Sequence, residues 1–337
     1  MRLFGARSRA RPSATTMDPT GLSPTKLSEP HLLLLSRYCH AQNWRTGSGN
    51  GWDKVLGEPR EAAIQRFLSE GLLMPSTPRS KLETFPAKEL KVLLKERQLP
   101  ASGNKEALID RLVQANDSTL AAKLEQLDIV ECSPRARDLV NEYTSQKRVE
   151  NQAAVTECLA CLRIEDFAGA CREVAQYEAR QVFPRGVGVD WSKPSEVQAR
   201  RLKILFDAQP KILTDLPAKD WKPLRIAAGI MFLWGLNAAS DWLPDDFVGV
   251  TRFDNDTAAR MLVFHASFVD NMTAYREMGV RTATISACED SCEACHALNG
   301  KLLLLDEVPE LPFYACTHVM GCRCLLLPDT PPPFLSS

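Results

Sequence analysis

A concentration of cysteines in the last 50 residues constrains this sequence more than any other feature. Six of the eleven cysteines lie there. Together with one histidine they are spaced as Cys288-x3-Cys292-x2-Cys295 and then, after a loop, as His318-x3-Cys322-x-Cys324. Two ligands from one turn, followed after a loop by a second pair, is the pattern that tetrahedral zinc requires. The segment therefore predicts a metal-bound module rather than a set of free thiols.

The choice of zinc ligands follows from the same spacing. The expected ligands are Cys292 and Cys295 as the first pair and His318 and Cys322 as the second, with Cys324 as the main alternative and Cys316 and Cys288 as more distant ones. Four protein ligands leave no place for a water molecule, which is typical of a structural zinc site. From Gly279 onward, 3 basic and 7 acidic residues give a net charge of −4. This segment is therefore a poor candidate for binding phosphate.

The beginning of the sequence bears on the compartment, and thus on whether the cysteines bind metal or form disulfides. Residues 1–16 contain four arginines but lack the apolar stretch of a secretory signal. We therefore expect an intracellular, cytoplasmic protein whose clustered cysteines bind metal, with a transit peptide as the alternative for the first residues and Met17 as an alternative initiator. The longest apolar run, Ile226 to Ala239, is shorter than the roughly 20 residues of a membrane-spanning helix. We expect no membrane association.

Apolar residues recur at helical spacing through most of the chain between these two ends. The pattern is strongest from Thr257 to Met278, where Asp256 is the expected N-cap. Residues 280–287 alternate with β-branched side chains and predict a strand. The fold class is therefore mainly α, with several helical modules ending in a small zinc-stabilised α+β module. The predicted domains are a disordered arm (1–30), a small helical region (31–79), a helix–extension–helix unit (80–116), a helical domain (136–279), the Cys/His module (280–328) and a loose tail (329–337).

The segment from Leu82 to Ala115 contains two short helices joined by a Pro-Ala-Ser-Gly connector. Ser102 is the expected N-cap of the second helix, with Gly103 directly after it. The apolar positions of the two helices and of the connector are Leu90, Leu93, Leu94, Leu99, Leu108, Ile109 and Leu112. This order of residues resembles the SAP motif, a helix–extension–helix DNA-binding module.

The SAP resemblance implies binding to duplex DNA with a preference for A/T-rich segments. A helix N-terminus beside a glycine admits a phosphate closely, and basic side chains neutralise its charge. By position, the expected DNA-facing residues are Lys95, Ser102, Gly103, Lys105 and Arg111. Six basic and five acidic residues between Leu82 and Ala115 leave a net charge of only +1. We therefore expect weak, salt-sensitive binding.

A second resemblance involves the C-terminal segment. Its matching residues run from His265-Ala-Ser through Cys292, Cys295, Leu298, Gly300, Lys301, Pro312 and His318 to Cys322-Arg-Cys324. This order resembles the C-terminal end of phage head-morphogenesis (Mu F-like minor head) proteins. That family usually has His-x2-Cys-Arg-Cys, whereas this chain has His-x3-Cys-Arg-Cys. The shared piece is interpreted as a zinc-bound helix–strand module that different proteins reuse.

No catalytic motif accompanies these two segments: the sequence contains no P-loop, no G-x-S-x-G and no H-E-x-x-H. With 41 basic and 42 acidic residues, the whole chain is not a polybasic nucleic-acid coat. The leading hypothesis is a non-enzymatic DNA-binding adaptor or scaffold with structural zinc, which binds protein partners through its helical region. One alternative is a phage- or mobile-element-derived enzyme or toxin, such as a nuclease, that its SAP module delivers to DNA. The other is a phage head-assembly protein.

Overall fold

The computed structural model describes residues 27–46, 51–186, 188–235 and 238–329. The chain divides into two compact units, Met1–Tyr143 and Thr144–Ser337. Residues 1–26 of the predicted arm and 330–337 of the predicted tail lie outside the described residues. Glu29 and Pro30, the last described residues of that arm, already belong to a helix.

The first unit contains short helices and a three-stranded antiparallel sheet in the order β1-β3-β2. Its elements are α1 (Glu29–Ser36), β1 (Gln42–Asn43), α2 (Trp52–Leu56), α3 (Arg60–Ser69), β2 (Leu73–Pro75), α4 (Pro78–Glu83), α5 (Ala87–Glu96), α6 (Lys105–Gln114), α7 (Ser118–Glu125), β3 (Ile129–Cys132) and the beginning of α8 (Pro134–Arg163). Val130 of β3 pairs with Gln42 on one side and Pro75 on the other. The sequence patterns did not predict this sheet, because all four residues of β3 are buried and show no alternation.

The four helices between β2 and β3 have an apolar core of their own. Leu82 of α4, Leu94 of α5 and Leu112 of α6 are buried together with Leu120 and Leu124 of α7. A separate apolar cluster joins α1 and α3 to the sheet and the start of α8. Helices α4–α7 thus form a compact unit inserted between two neighbouring strands.

The second unit is a helical core that continues into a small sheet. Its elements are the rest of α8, α9 (Phe167–Ala179), α10 (Glu196–Asp207), α11 (Trp221–Trp234), α12 (Asn255–Glu277), β4 (Thr282–Ser286), α13 (Glu293–His296), β5 (Leu302–Leu304) and β6 (Leu325–Pro328). The sheet is antiparallel in the order β5-β4-β6. The prediction of a mainly helical fold is confirmed. Within the described residues, no helix is long and apolar enough to cross a membrane.

The start of α12 corrects one expectation. Asp254, not Asp256, is the N-cap, and its Oδ1 accepts a 2.6 Å hydrogen bond from the amide of Thr257. Asp256 Oδ1 instead accepts hydrogen bonds from the amides of Ala239 and Ser240, at 2.7 and 3.1 Å. Several residues of types that can cap a helix are adjacent here, and the conformation of the loop before the helix determines which one is the N-cap.

Candidate nucleic-acid interface and metal centre

Helix α5 supplies one side of the SAP-like pair. Leu90, Leu93 and Leu94 form its buried face. The helix ends at Glu96 with Arg97 as its C-cap, and Gln98 after it has a φ of 57°. The amide of Leu99 then donates to the carbonyl of Leu94 at 2.9 Å, which closes a Schellman motif and brings Leu99 against the shared core.

The connector and the start of α6 are held by two polar side chains. Asn104, not Ser102 as expected, is the N-cap, and its Oδ1 accepts from the amide of Ala107 at 3.0 Å. The expectation was wrong because the helix begins two residues later than the sequence suggested. Ser102 is exposed, and its carbonyl and that of Pro100 accept hydrogen bonds from Arg111 Nη1. Arg111 therefore clamps the connector to α6.

Two more of the expected DNA-facing residues have roles within the unit. Lys105 Nζ donates to the carbonyl of Glu83 at 2.7 Å, which ties the first turn of α6 to the end of α4. Gly103 has a φ of 111°, and a Cβ there would lie 3.3 Å from Ala107 Cβ. Only glycine adopts this backbone conformation without strain. Ser102, Gly103 and Lys105 are exposed around the N-terminus of α6, where free amides face solvent.

The other basic residues of the α4–α7 segment differ in whether they have a partner inside the protein. Arg79 and Arg97 form ion pairs with Asp110 and Asp117, each at 2.5 Å. The buried Lys81 donates to the carbonyl of Leu124 at 2.7 Å.

Three lysines of α5 differ from these paired cations. Lys88, Lys91 and Lys95 are exposed and have no ion-pair partner among the described residues. Their spacing of i, i+3 and i+7 places them on one face of the helix, opposite the buried leucines. Seven residues of helix rise about 10 Å. Only Lys95 of this row was predicted, because the sequence does not show which cations are paired inside the protein.

Five cysteine sulfurs come together in the second unit. Cys292 Sγ lies 3.7 Å from Cys316 Sγ, and Cys295 Sγ lies 3.9 Å from Cys322 Sγ. The sulfurs of Cys292, Cys295 and Cys316 all lie within 4.8 Å of one another, as do those of Cys295, Cys322 and Cys324. Cys295, Cys316 and Cys322 are at most 1 % exposed and belong to the core formed by α8–α12.

Local backbone structure positions the first two sulfurs. Cys292 is the N-cap of α13, and the amides of Cys295 and His296 donate to its carbonyl at 3.0 and 2.9 Å. The amide of Thr317 donates to Cys292 Sγ at 3.4 Å. Burial raises the pKa of the Cys292 thiol, but the amides of Thr317 and Cys295 outweigh burial and lower it to about 6. Since the thiolate is the form that binds metal, this sulfur is prepared to act as a ligand.

A glycine turn positions Cys322. Gly321 has a φ of 76°, and a Cβ there would lie 2.6 Å from Met261 Sδ and 3.1 Å from Thr257 Cγ2 of α12. The loop therefore approaches the helix closely enough to bury the next residue. Hydrogen bonds from Cys316 and Cys324 lower the pKa of Cys322, whereas the Cys322 hydrogen bond raises the pKa of Cys316.

His318, expected among the ligands, lies outside the group of sulfurs. Its Nδ1 accepts from the amide of Met320 at 3.1 Å, and its Nε2 lies 3.4 Å from Arg323 Nη2. Cys288 Sγ lies 3.8 Å from the carbonyl of Arg323 and is also outside the group. Cys316, which the sequence offered only as a distant alternative, lies inside it.

The group of sulfurs has the dimensions of a metal site. With Zn–S bonds of about 2.3 Å, the edge of a tetrahedral zinc–thiolate site is about 3.8 Å. The two measured contacts of 3.7 and 3.9 Å match this edge. Soft thiolate ligands in tetrahedral geometry select zinc or iron–sulfur chemistry over magnesium or calcium. The cysteines present therefore fit a zinc ion.

Comparison with known proteins bears on the helical insertion. Residues 81–117 match the family model of the SAP domain, which supports the expected SAP motif. Neither the curated proteins nor the solved structures contain a match to this chain. The resemblance to phage head-morphogenesis proteins stays a prediction. The matched residues take in the end of α4, α5, the connector and α6, so this part of the chain is similar to a SAP domain, which suggests nucleic-acid binding.

Proposed function

We propose that this protein is a non-enzymatic DNA-binding adaptor whose SAP domain contacts the backbone of duplex DNA. The observation that carries the proposal is the SAP match at residues 81–117, over a folded helix–connector–helix with its own apolar core. The family resemblance adds a preference for A/T-rich duplexes. The helices of the second unit would present surfaces to protein partners, and the proposed compartment is intracellular and cytoplasmic.

Two features of the unit support contact with phosphate. The first is the exposed N-terminus of α6, where Ser102, Gly103 and Lys105 surround free backbone amides. The second is the row of Lys88, Lys91 and Lys95 on α5. A row about 10 Å long covers about three phosphate intervals of one strand, since phosphates recur about every 3.4 Å of duplex axis per strand. The row is therefore long enough to lie along several phosphates of one strand.

The three lysines provide a clean test because none of them has a described partner inside the protein. The variant Lys88→Gln/Lys91→Gln/Lys95→Gln should bind a labelled duplex more weakly than the parent. It should also reduce the slope of log affinity against log salt by about 2.7, at roughly 0.9 for each lost phosphate contact. Fluorescence anisotropy with A/T-rich and G/C-rich duplexes over a salt series measures both quantities. An unchanged slope would show that α5 does not contact DNA.

A matched control lies on the same helix. Glu89 is exposed on α5, and Glu89→Gln should strengthen binding, because it removes a negative charge beside the lysines. Arg111→Ala and Gly103→Val are less suitable variants, since the structure shows that they would loosen the connector or strain the backbone. Lys105→Ala tests the N-terminus of α6, and circular dichroism checks that the unit still folds.

The non-enzymatic part of the proposal has a direct test. Purified protein is incubated with linear and supercoiled DNA, with and without Mg²⁺, and followed on a gel. A mobility shift without cleavage supports the adaptor. Metal-dependent nicking or cutting would contradict it and favour the nuclease alternative.

The proposed cofactor is one structural zinc ion at the cysteine group. The fit of the sulfur distances to a tetrahedral edge supports it, as does the burial of three of the cysteines within the core. A closed site of four protein ligands has no place for a reacting water, so the zinc would stabilise the fold rather than catalyse. Elemental analysis of protein grown with zinc should find one ion per chain.

A further inference from the structure

Five cysteines meet where a tetrahedral ion needs only four, so one of them is not a ligand. The two short sulfur contacts join Cys292 to Cys316 and Cys295 to Cys322, and each of these four cysteines takes part in one contact. In a tetrahedral site, two contacts without a common atom would be opposite edges, and Cys295 links them because its sulfur also lies within 4.8 Å of those of Cys322 and Cys324. Cys292, Cys295 and Cys316 also share a face, since their sulfurs lie within 4.8 Å of one another.

We propose that the ion is held by the four thiolates of Cys292, Cys295, Cys316 and Cys322, and that neither His318 nor Cys324 is a ligand. This assignment rests on the proposed structural zinc and defines its ligands. It departs from the Cys/His set that the spacing predicted, because it replaces a histidine by the fully buried Cys316.

Chain geometry supports Cys316 over Cys324. Cys316 and Cys322 are separated by a loop that turns at Gly321, long enough for both sulfurs to reach one ion without strain. Cys324 is only one residue beyond Cys322, and Cys-x-Cys chelates with a tight bite. Cys324 lies with Cys295 and Cys322, whereas Cys316 lies with Cys292 and Cys295. If Cys324 were the ligand, the Cys316 thiol would be left fully buried 3.7 Å from a metal-bound sulfur.

The position of His318 is the second argument. Its Nδ1 accepts a hydrogen bond from the amide of Met320, and its Nε2 faces Arg323 Nη2. The same Arg323 nitrogen forms an ion pair with Asp290 at 2.6 Å. To reach the sulfurs, the ring would have to give up both contacts. The site would then be an all-sulfur site with a net charge of −2, which Arg323 beside the loop helps to balance.

Cobalt substitution tests the ligand set on the full chain. Co²⁺ is titrated into reduced, metal-free protein, and the sulfur-to-cobalt charge-transfer absorption reports how many thiolates bind. Cys324→Ser and His318→Ala should give the parent's absorption and one ion per chain. Cys316→Ser should weaken Zn²⁺ binding, measured by competition with a chelator, by more than the 10–100-fold typical of losing an outer-shell partner.

A fourth variant keeps the test decisive if Cys316→Ser does not fold. Cys316→His keeps a metal ligand at this position, so it should bind one Co²⁺ with about a quarter less charge-transfer absorption and shifted visible bands. An unchanged spectrum in Cys316→His, lost charge-transfer absorption in Cys324→Ser, or shifted visible bands in His318→Ala would overturn the ligand assignment but leave the zinc proposal intact. A parent protein that binds neither Zn²⁺ nor Co²⁺ would overturn both.

Discussion

Asp270 shows how much one buried carboxylate contributes to the second unit. Its side chain is 4 % exposed, and its two oxygens accept from Arg200 Nε at 2.7 Å and Arg201 Nε at 2.6 Å. Burial raises the pKa of Asp270, but the hydrogen bonds from the two arginines outweigh it, so the pKa lies below its ordinary value. The ionised carboxylate therefore joins α10 to α12.

Asp270→Asn should lower the free energy of unfolding at neutral pH by about 1.5–3 kcal/mol, the usual cost of losing hydrogen bonds to a charged group. Because the pKa is lower in the folded state, the stabilisation is present above the unfolded carboxyl pKa and is lost as pH falls through the folded one. In urea unfolding measured from pH 7 to pH 3, the free energies of unfolding of the parent and of Asp270→Asn should therefore become equal in acid. Asp306→Asn is the control: Asp306 is 89 % exposed in its pair with Arg276, and its loss should cost about 0–1 kcal/mol. A difference in free energy of unfolding between the parent and Asp270→Asn that stays constant with pH would contradict the role of the ionised Asp270 carboxylate.

At the scale of the element, the turn after α5 sets the direction of the connector in the SAP-like helix pair. The Schellman motif requires a left-handed residue after the helix, and Gln98 occupies that position with a φ of 57°. A side chain in this conformation costs about 1–2 kcal/mol, whereas glycine adopts it freely. The turn is therefore held by the packing of Leu99 against the core rather than by local preference.

Gln98→Gly should raise the free energy of unfolding of the first unit by about 0.5–1 kcal/mol, since the relieved strain exceeds the extra entropy of glycine in the unfolded chain. Gln65→Gly is the matched control. Gln65 is exposed within α3, so the same substitution there should lower stability by about 1 kcal/mol. Thermal and urea unfolding of both variants give the comparison. Destabilisation by Gln98→Gly would show that the glutamine side chain makes a stabilising contact.

At the scale of the whole molecule, the two compact units have separate buried clusters. The core of α4–α7 belongs to the first unit, whereas three of the five cysteines belong to the core of the second unit, which α8–α12 form. A structural zinc site contributes folding free energy directly, with apparent values of about 10 kcal/mol or more. Loss of the proposed zinc ion should therefore act mainly on the second unit.

Removing zinc with a chelator under reducing conditions should increase hydrogen exchange in α10–α12 and leave the protection of α5 and α6 unchanged. Exchange measured by mass spectrometry, peptide by peptide, resolves the two units in one experiment. Chelator saturated with zinc beforehand is the control for effects of the chelator itself. Equal loss of protection in both units would contradict their independence.

The amino-acid sequence by itself determined the local features. The leucine spacing of α5 and α6, the long periodic run of α12 and the alternation of β4 predicted elements within a few residues of their observed bounds, because apolar periodicity depends only on neighbouring residues. The SAP motif could be recognised from the sequence because its pattern lies within one short segment.

Only the tertiary structure decided which distant groups meet. The pairing of β1 and β2 with β3, the choice of Asn104 and Asp254 as caps and the division of cations into paired and free depend on how the chain folds back on itself. The same holds for the cysteine group, where Cys316 lies among the sulfurs and His318 does not. Ligand spacing predicts which residues can reach an ion, whereas loop turns such as that at Gly321 determine which side chains point inward.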